Sequence, residues 1–147
     1  MGDRVVVLHQ GAVRQIGTPK EVYEDPADTF VATFLGSPPM NLLTFTDVIV
    51  GFRPESFLPV ELLGGAKAVR FRYVVNYVEY LGAERLLYGS IEGSPAETPE
   101  IIARLSWTMP MGYEKGSVHD FAVAETDLRF FDRATEKRSS PRPHPWR

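Results

Sequence analysis

The chain has 147 residues, 44% of them hydrophobic and 24% charged, which is globular composition with enough length to bury a core and excludes wholesale disorder. It contains no cysteine, so disulfides, thiolate metal sites and cysteine nucleophiles are excluded, and the absence fits a cytosolic protein. The net charge of −3 hides an asymmetry: residues 133–147 hold five basic residues and one acid, net +4, and the remaining −7 makes an acidic body that argues against nucleic acid as a partner.

Val5-Val6-Val7-Leu8 is a continuous aliphatic run, and such runs mark strands buried on both faces. It is far shorter than the roughly 20 residues that span a bilayer, and Met1-Gly2-Asp3-Arg4 before it does not make a signal peptide. His9-Gln10-Gly11 predicts a tight turn, and Ala12 to Ile16 a returning strand. Thr18-Pro19-Lys20-Glu21 is a helix start: Thr18 caps, Pro19 suits the first helical position and Glu21 completes a capping box. Pro26 ends that turn. A second helix is predicted from about Ala27 to Leu35, with Phe30, Val31, Phe34 and Leu35 as its apolar stripe, Gly36 as its cap and Pro38-Pro39 forbidding continuation.

Beyond Gly36 the pattern changes to short β-patterned runs between Gly, Pro and Ser. The expected strands are Val48 to Phe52, Ala66 to Asn76, Glu84 to Ile91, Ile101 to Trp107, Ser117 to Ala124 and Leu128 to Phe131. Gly93 to Pro99 and Pro110 to Gly116 read as turns. Strands at this spacing predict a small closed or half-closed barrel. Its expected core is Val69, Phe71, Tyr73, Val75, Leu86, Tyr88, Val118, Phe121, Val123 and Phe130, with tyrosine hydroxyls at the rim. The fold class is therefore mainly β: a small barrel preceded by a β-hairpin and two short helices. Three segments follow: 1–36, the hairpin and helices; 37–132, the barrel domain, entered through Pro38-Pro39-Met40-Asn41; and 133–147, a flexible basic, proline-rich tail.

The first segment is awkward alone, because an isolated hairpin is marginal in water. It is either the end of a larger α/β domain or a complete hairpin docked on the β domain.

Together, Asp3-Arg4-Val5-Val6-Val7-Leu8, Gln10-Gly11, Gln15-Ile16-Gly17-Thr18-Pro19, Glu21-Val22-Tyr23, Pro26, Phe30-Val31-Ala32 and Phe34-Leu35-Gly36 resemble the last part of the ATPase domain in sugar-importer ABC transporters of the MalK type. Pro38, Pro39, Met40 and Asn41 resemble that family's passage into its C-terminal regulatory domain. Gly51, Phe52, Arg53, Pro54 and Glu55 resemble the GxRPE turn of that domain, Glu79, Leu81, Gly82 and Glu84 its VExLGxE strand, and Leu128 to Asp132 its closing HLFD strand. The resemblance covers residues 3–132. It implies an OB-like regulatory barrel of the TOBE type, related to MOP-like modules. It also implies a cytoplasmic subunit peripheral to the inner face of the membrane, pairing with itself and with permease subunits, and open to a regulatory protein.

The same resemblance sets what is missing. The phosphate loop GxxxxGK[ST] has no counterpart, since Gly64-Gly65-Ala66-Lys67 lacks its spacing and its Ser/Thr. The LSGGQ signature is absent too, and His9 does not match the family's switch histidine. Phosphoryl transfer needs those groups assembled, so the chain is expected not to be an enzyme by itself. No cofactor is expected, ATP and magnesium belonging to the full-length parent subunit, and the chain reads as a truncated gene product or a cut piece of one.

Single residues carry little chemistry. His9 reads as an exposed turn residue, His119 and Asp120 face opposite ways on a strand, and no two histidines have ligand spacing, so no metal site is expected. Arg53 and Glu55 flank Pro54 and read as a local ion pair or as a contact with a partner barrel. Trp107, Met109 and Met111 cluster near a loop and read as core or interface packing, with a ligand platform as the alternative. The leading expectation is thus a regulatory and dimerisation portion of a sugar-type importer's ATP-binding subunit. The alternative is a free-standing TOBE-type module that binds a small oxyanion or other small ligand.

Overall fold

The computed structural model describes residues 3–93, 100–109 and 112–142. Residues 94–99 of the loop expected at Gly93 to Pro99, together with Pro110, Met111 and His144, lie outside the described residues. The chain divides into two compact units, one built from residues up to Gly51 together with Arg129 onward, the other from Phe52–Leu128.

In the first unit, β1 (Val5–His9) and β2 (Ala12–Gly17) form an antiparallel hairpin. Gln10 and Gly11 turn it with φ of 51° and 81°, the left-handed pair that a twisted two-residue hairpin demands. Helix α1 (Pro19–Glu24) starts on the expected capping box: the Thr18 hydroxyl accepts from the Glu21 amide at 3.1 Å and the Glu21 carboxylate accepts from the Thr18 amide at 2.8 Å. Helix α2 (Thr29–Phe34) is shorter than expected, because the Asp28 carboxylate caps it by accepting from the Val31 amide at 2.9 Å. Val7, Val22 and Val31 interlock as one small core, flanked by Val5, Phe30 and Leu35.

The β1 strand is not buried on both faces. Val6 and Leu8 are 51% and 56% exposed, and their cross-strand partners Ile16 and Val13 are 54% and 55% exposed. Helices α1 and α2 cover the face that carries Val7.

Next come β3 (Asn41–Thr44) and β4 (Val48–Phe52), joined by the closing strand β10 (Arg129–Asp132) in the order β10-β4-β3. Strand β3 was not expected from the sequence, being only four residues of mixed pattern. Ala32, Met40, Ile49 and Phe131 pack together here.

The tail expected to be flexible from residue 133 is held as far as Ser139. Thr29 donates to the Glu136 carbonyl, Arg138 to that of Ala27 and Ser139 to that of Phe130, at 3.0, 2.8 and 2.8 Å, and the Arg138 guanidinium pairs with Asp25. Backbone hydrogen bonding, invisible in a proline-rich composition, overrides the compositional signal.

The second unit is a five-stranded antiparallel sheet in the order β5-β9-β6-β7-β8. Its strands are β5 (Leu58–Pro59), β6 (Ala68–Leu81), β7 (Glu84–Ile91), β8 (Ile101–Ser106) and β9 (Val118–Ala124). The long β6 spans two pairings, with β9 over its first half and β7 over its second, and its register shifts between Val75 and Tyr77. A strand bent at such a bulge curls the sheet into a half-barrel. Gly89 permits the tightest approach: a Cβ there would run into the Val74 carbonyl oxygen and the Tyr73 ring.

Phe57 sits at the centre of the core. Its ring lies 4.9 Å from Tyr73, edge-on, 5.0 Å from Phe121, 5.4 Å from Phe52 and 6.0 Å from Phe71. Of the expected core, Val69, Phe71, Tyr73, Val75, Leu86, Phe121, Val123 and Phe130 are buried. Val118 is exposed, because it has the opposite parity to Phe121 and Val123 on β9 and faces outward. Tyr88 is half-buried, stacked on Tyr77 at 4.4 Å. The Tyr73 hydroxyl is not at the rim: it donates to the Ile101 carbonyl at 2.6 Å, with the Leu87 carbonyl at 3.0 Å. Burial raises its pKa far above that of a free phenol.

Two outcomes follow from this packing. Phe57→Ala should destabilise the chain by about 3–5 kcal/mol, while Val118→Ala changes little; equal denaturation midpoints for the two variants would contradict the core. In the first unit, the Thr135 and Ala134 amides donate to the Asp132 carboxylate and hold its pKa below the ordinary 3.8. A depressed carboxyl pKa stabilises above the unfolded value and is lost as pH falls through the folded one. Hydrogen-exchange protection of these two amides should therefore fall below about pH 4, and Asp132→Asn should remove that dependence; wild-type protection that persists on acidification would contradict it.

Candidate functional site

The motif residues fall into two groups. In the first unit Met40, which is buried, lies against Gly51 of β4: a Cβ on Gly51 would come within 2.5 Å of the Met40 Sδ and 3.0 Å of Leu42. A glycine is required where the side chains of Met40 and Leu42 pack against the strand. Pro38 is half-buried, Pro39 is exposed and Asn41 is buried.

In the second unit Phe52, Arg53 and Pro54 are buried, and a 3-10 turn over Pro54–Ser56 leaves Glu55 exposed. The Glu55 carboxylate lies 4.0 Å from the Arg104 guanidinium of β8, and Glu84 of β7 lies 3.5 Å from the same group. Arg104 is thus the cation that joins two separate motifs, and spacing along the chain gave no sign of it. These pairs are partly exposed and contribute little stability each. Their value is positional, since they tie the 3-10 turn to the β7–β8 pair.

The register then sets one face of the hairpin, on which Leu86 is buried. Tyr77 opposes Tyr88, Glu79 opposes Leu86 and Leu81 opposes Glu84, while Leu86 opposes Arg104. The Tyr88 hydroxyl donates to Glu79 at 2.9 Å, and its pKa is pushed up to about 12 by burial first and by the Glu79 carboxylate second. Gly82, with φ of 68°, makes the tight turn between the strands, and Leu81 is 48% exposed beside it. Tyr80 and Trp107 are also exposed, at 72% and 63%. Of the two packing roles expected for Trp107, this exposure removes the core one.

Elsewhere the second unit holds a polar cluster. The Arg85 guanidinium lies 5.5 Å from the Tyr113 ring and donates to the Met109 carbonyl at 2.8 Å. Tyr113 packs edge-on against His119, whose Nε2 is 2.8 Å from the Ser117 hydroxyl. In the first unit the His9 ring packs 4.0 Å from that of Phe30. Among the described residues no three His, Cys, Asp or Glu side chains are placed to hold a metal ion, and no helix is long and apolar enough to cross a membrane.

The geometry defines a class first: a curled, OB-like β half-barrel with a polar, aromatic outer face. No family model matches the chain. Curated proteins do. The chain is 38% identical to the sn-glycerol-3-phosphate import ATP-binding protein UgpC of Ruegeria pomeroyi, over 94% of its own length and 42% of that protein. It is 33% identical to the diacetylchitobiose uptake system ATP-binding protein MsiK of Streptomyces coelicolor, over 94% of its length and 46% of that protein. It is 40% identical to the trehalose import ATP-binding protein SugC of Mycobacterium tuberculosis, over 65% of its length and 33% of that protein. The chain belongs to the MalK-type ATP-binding subunits of ABC importers and matches the C-terminal part of such a subunit. It spans less than half the length of these relatives.

Gly51→Ala should cost about 1–3 kcal/mol by overpacking, and Met40→Ala in the same chain should recover part of that loss. A double variant no more stable than Gly51→Ala alone would show that the two residues do not share the contact.

Proposed function

We propose that this chain is the regulatory and dimerisation portion of the ATP-binding subunit of a sugar-type importer and does not itself hydrolyse ATP. The observation that carries the reading is its alignment over 94% of its length with an import ATP-binding protein, combined with a sequence that has no phosphate-loop pattern. In this reading the first 36 residues are the end of an ATPase domain. The barrel between them and residue 133 pairs with a second copy at the cytoplasmic face of the membrane, where permease subunits are docked. The exposed hairpin face Val6, Leu8, Val13 and Ile16 fits a surface that the rest of an ATPase domain covers. The barrel's outer face, with Glu55 and Glu84 against Arg104, and with Glu79, Leu81 and the Tyr77–Tyr88 stack, is the candidate pairing surface, since exposed aromatic and arginine side chains are the residue types that anchor interfaces.

The purified chain should show no ATP turnover above a buffer control and no saturable binding of a fluorescent ATP analogue at about 1 mM, a level at which a specific nucleotide site fills. Turnover that survives repurification would overturn the reading.

A further inference from the structure

In the first unit the linker between α1 and α2, residues 24–29, is gripped from two sides. From the hairpin, the Arg14 guanidinium donates to the Asp28 carboxylate at 2.8 Å. The Gln15 side chain donates to the Asp25 carbonyl at 3.2 Å and accepts from the Ala27 amide at 2.8 Å. From the C-terminal side, Arg129 of β10 donates to the Glu24 carbonyl at 2.7 Å. The strap that follows β10, residues 133–139, adds the bond from Thr29 to the Glu136 carbonyl, the bond from Arg138 to the Ala27 carbonyl, and the pairing of Arg138 with Asp25. Lys137 bridges to Asp28 and Arg138 to Phe131, both antiparallel, so the strap lies as a short strand between the linker and β10.

The turn that sends the strap back is built on Asp132. Its carboxylate accepts from the Ala134 and Thr135 amides at 2.8 and 3.0 Å. Its carbonyl accepts from the Glu136 amide at 2.7 Å, and its amide donates to the Lys137 carbonyl at 2.8 Å. Glu136 completes the turn at φ of 62°, a left-handed conformation that strains any residue with a β-carbon. What holds the strap is polar throughout. None of residues 133–139 is buried, and none belongs to the Val7–Val22–Val31 core or to the cluster of Ala32, Met40, Ile49 and Phe131. A segment with exposed backbone bonds, a strained residue and no buried apolar side chain opens while the rest of a protein stays folded.

We propose that residues 133–139 are a releasable latch that locks the α1–α2 linker to β10. Opened, it frees the hairpin and α1 to pivot about the contact of Ala32 with Met40, Ile49 and Phe131, while the Val7–Val22–Val31 core stays packed. Closed, it ties the hairpin to the strand by which the chain leaves the second unit. Under the importer reading the hairpin is the end of an ATPase domain, and the latch then sets how tightly that domain follows the sheet. The latch itself is read from the first unit alone, so it stands or falls separately from the importer reading.

The Thr29 amide is the reporter. A first-turn helix amide has no partner inside its own helix, and here its partner is the Glu136 carbonyl of the strap. The Val31 amide, capped by Asp28, reports on α2 alone. In NMR-detected hydrogen exchange of the full chain, Thr29, Arg138 and Ser139 should exchange through one shared opening, about tenfold or more populated than the opening that exposes the β6 amides. Asp132→Ala should speed Thr29 exchange about tenfold and change that of Val31 by less than about twofold. Arg138→Gln should speed Thr29 exchange roughly two- to fivefold, and about 1 M salt should do the same to the unaltered chain and little to this variant. Glu136→Gly, which relieves the left-handed strain, should slow Thr29 exchange about threefold, a gain that damage to the fold does not produce. Thr29 exchange that occurs only with global unfolding, Val31 exchange that rises in step with that of Thr29 in Asp132→Ala, or faster Thr29 exchange in Glu136→Gly would each overturn the proposal.

Discussion

The second unit depends on the packing of Phe57. A single ring from the two-turn connection between β4 and β6 is surrounded by Phe52, Phe71, Tyr73 and Phe121, so one residue joins the strand that enters the barrel to the two strands at its middle. A five-stranded sheet with a bulge in its longest strand has no unique curvature until something fills its concave side. Four aromatic neighbours at 4.9–6.0 Å supply that filling, and the edge-on Tyr73 contact fixes where the Tyr73 hydroxyl goes. Ordered in this way, Tyr73 caps the carbonyls of two strands at once, and the β7–β8 pair that carries Glu84 and Arg104 is set in place.

Much of the fold was legible because its signals are local. The capping box at Thr18 and Glu21, the Gln10-Gly11 turn and the limits of β4 and β7 depend on neighbours in sequence, and the structure places each where the pattern does. Strand β6 runs five residues beyond its expected end at Asn76, because the pattern breaks at a bulge and resumes on the other face. Val118 was misplaced by reading hydrophobicity without parity. Phe57 was missed because a single apolar residue in a short connection has no period to declare it, whereas Ile101 and Leu105 lie on an expected strand whose alternation buries them and were left out of the expected core. The tail to Ser139 was misjudged because what holds it is backbone hydrogen bonding, to Ala27 and Thr29 over a hundred positions away and to Phe130 on the closing strand.

The motif residues show the same division. Met40 against Gly51 has a reading in sequence only after the pairing of β3 with β4 is known. The Glu55–Arg104–Glu84 cluster has none, since its cation lies outside every motif. The relationship to importer ATP-binding proteins adds what neither pattern nor geometry holds, namely that this chain aligns with less than half the length of such proteins. The physical structure agrees in one respect: the first unit leaves the cross-strand pairs Val6–Ile16 and Leu8–Val13 open on one face.

The central claim is that the barrel, and not this open hairpin face, pairs the chain with itself. Sedimentation equilibrium at about 100 μM, a generous level for an interface of standard size, decides it when the chain is compared with the variant Val6→Thr, Leu8→Thr, Val13→Thr, Ile16→Thr. The account predicts a dimer in both, since the substituted residues are already exposed and lie outside the barrel. A variant that sediments as a monomer, or an unaltered chain that is a monomer throughout, would contradict it.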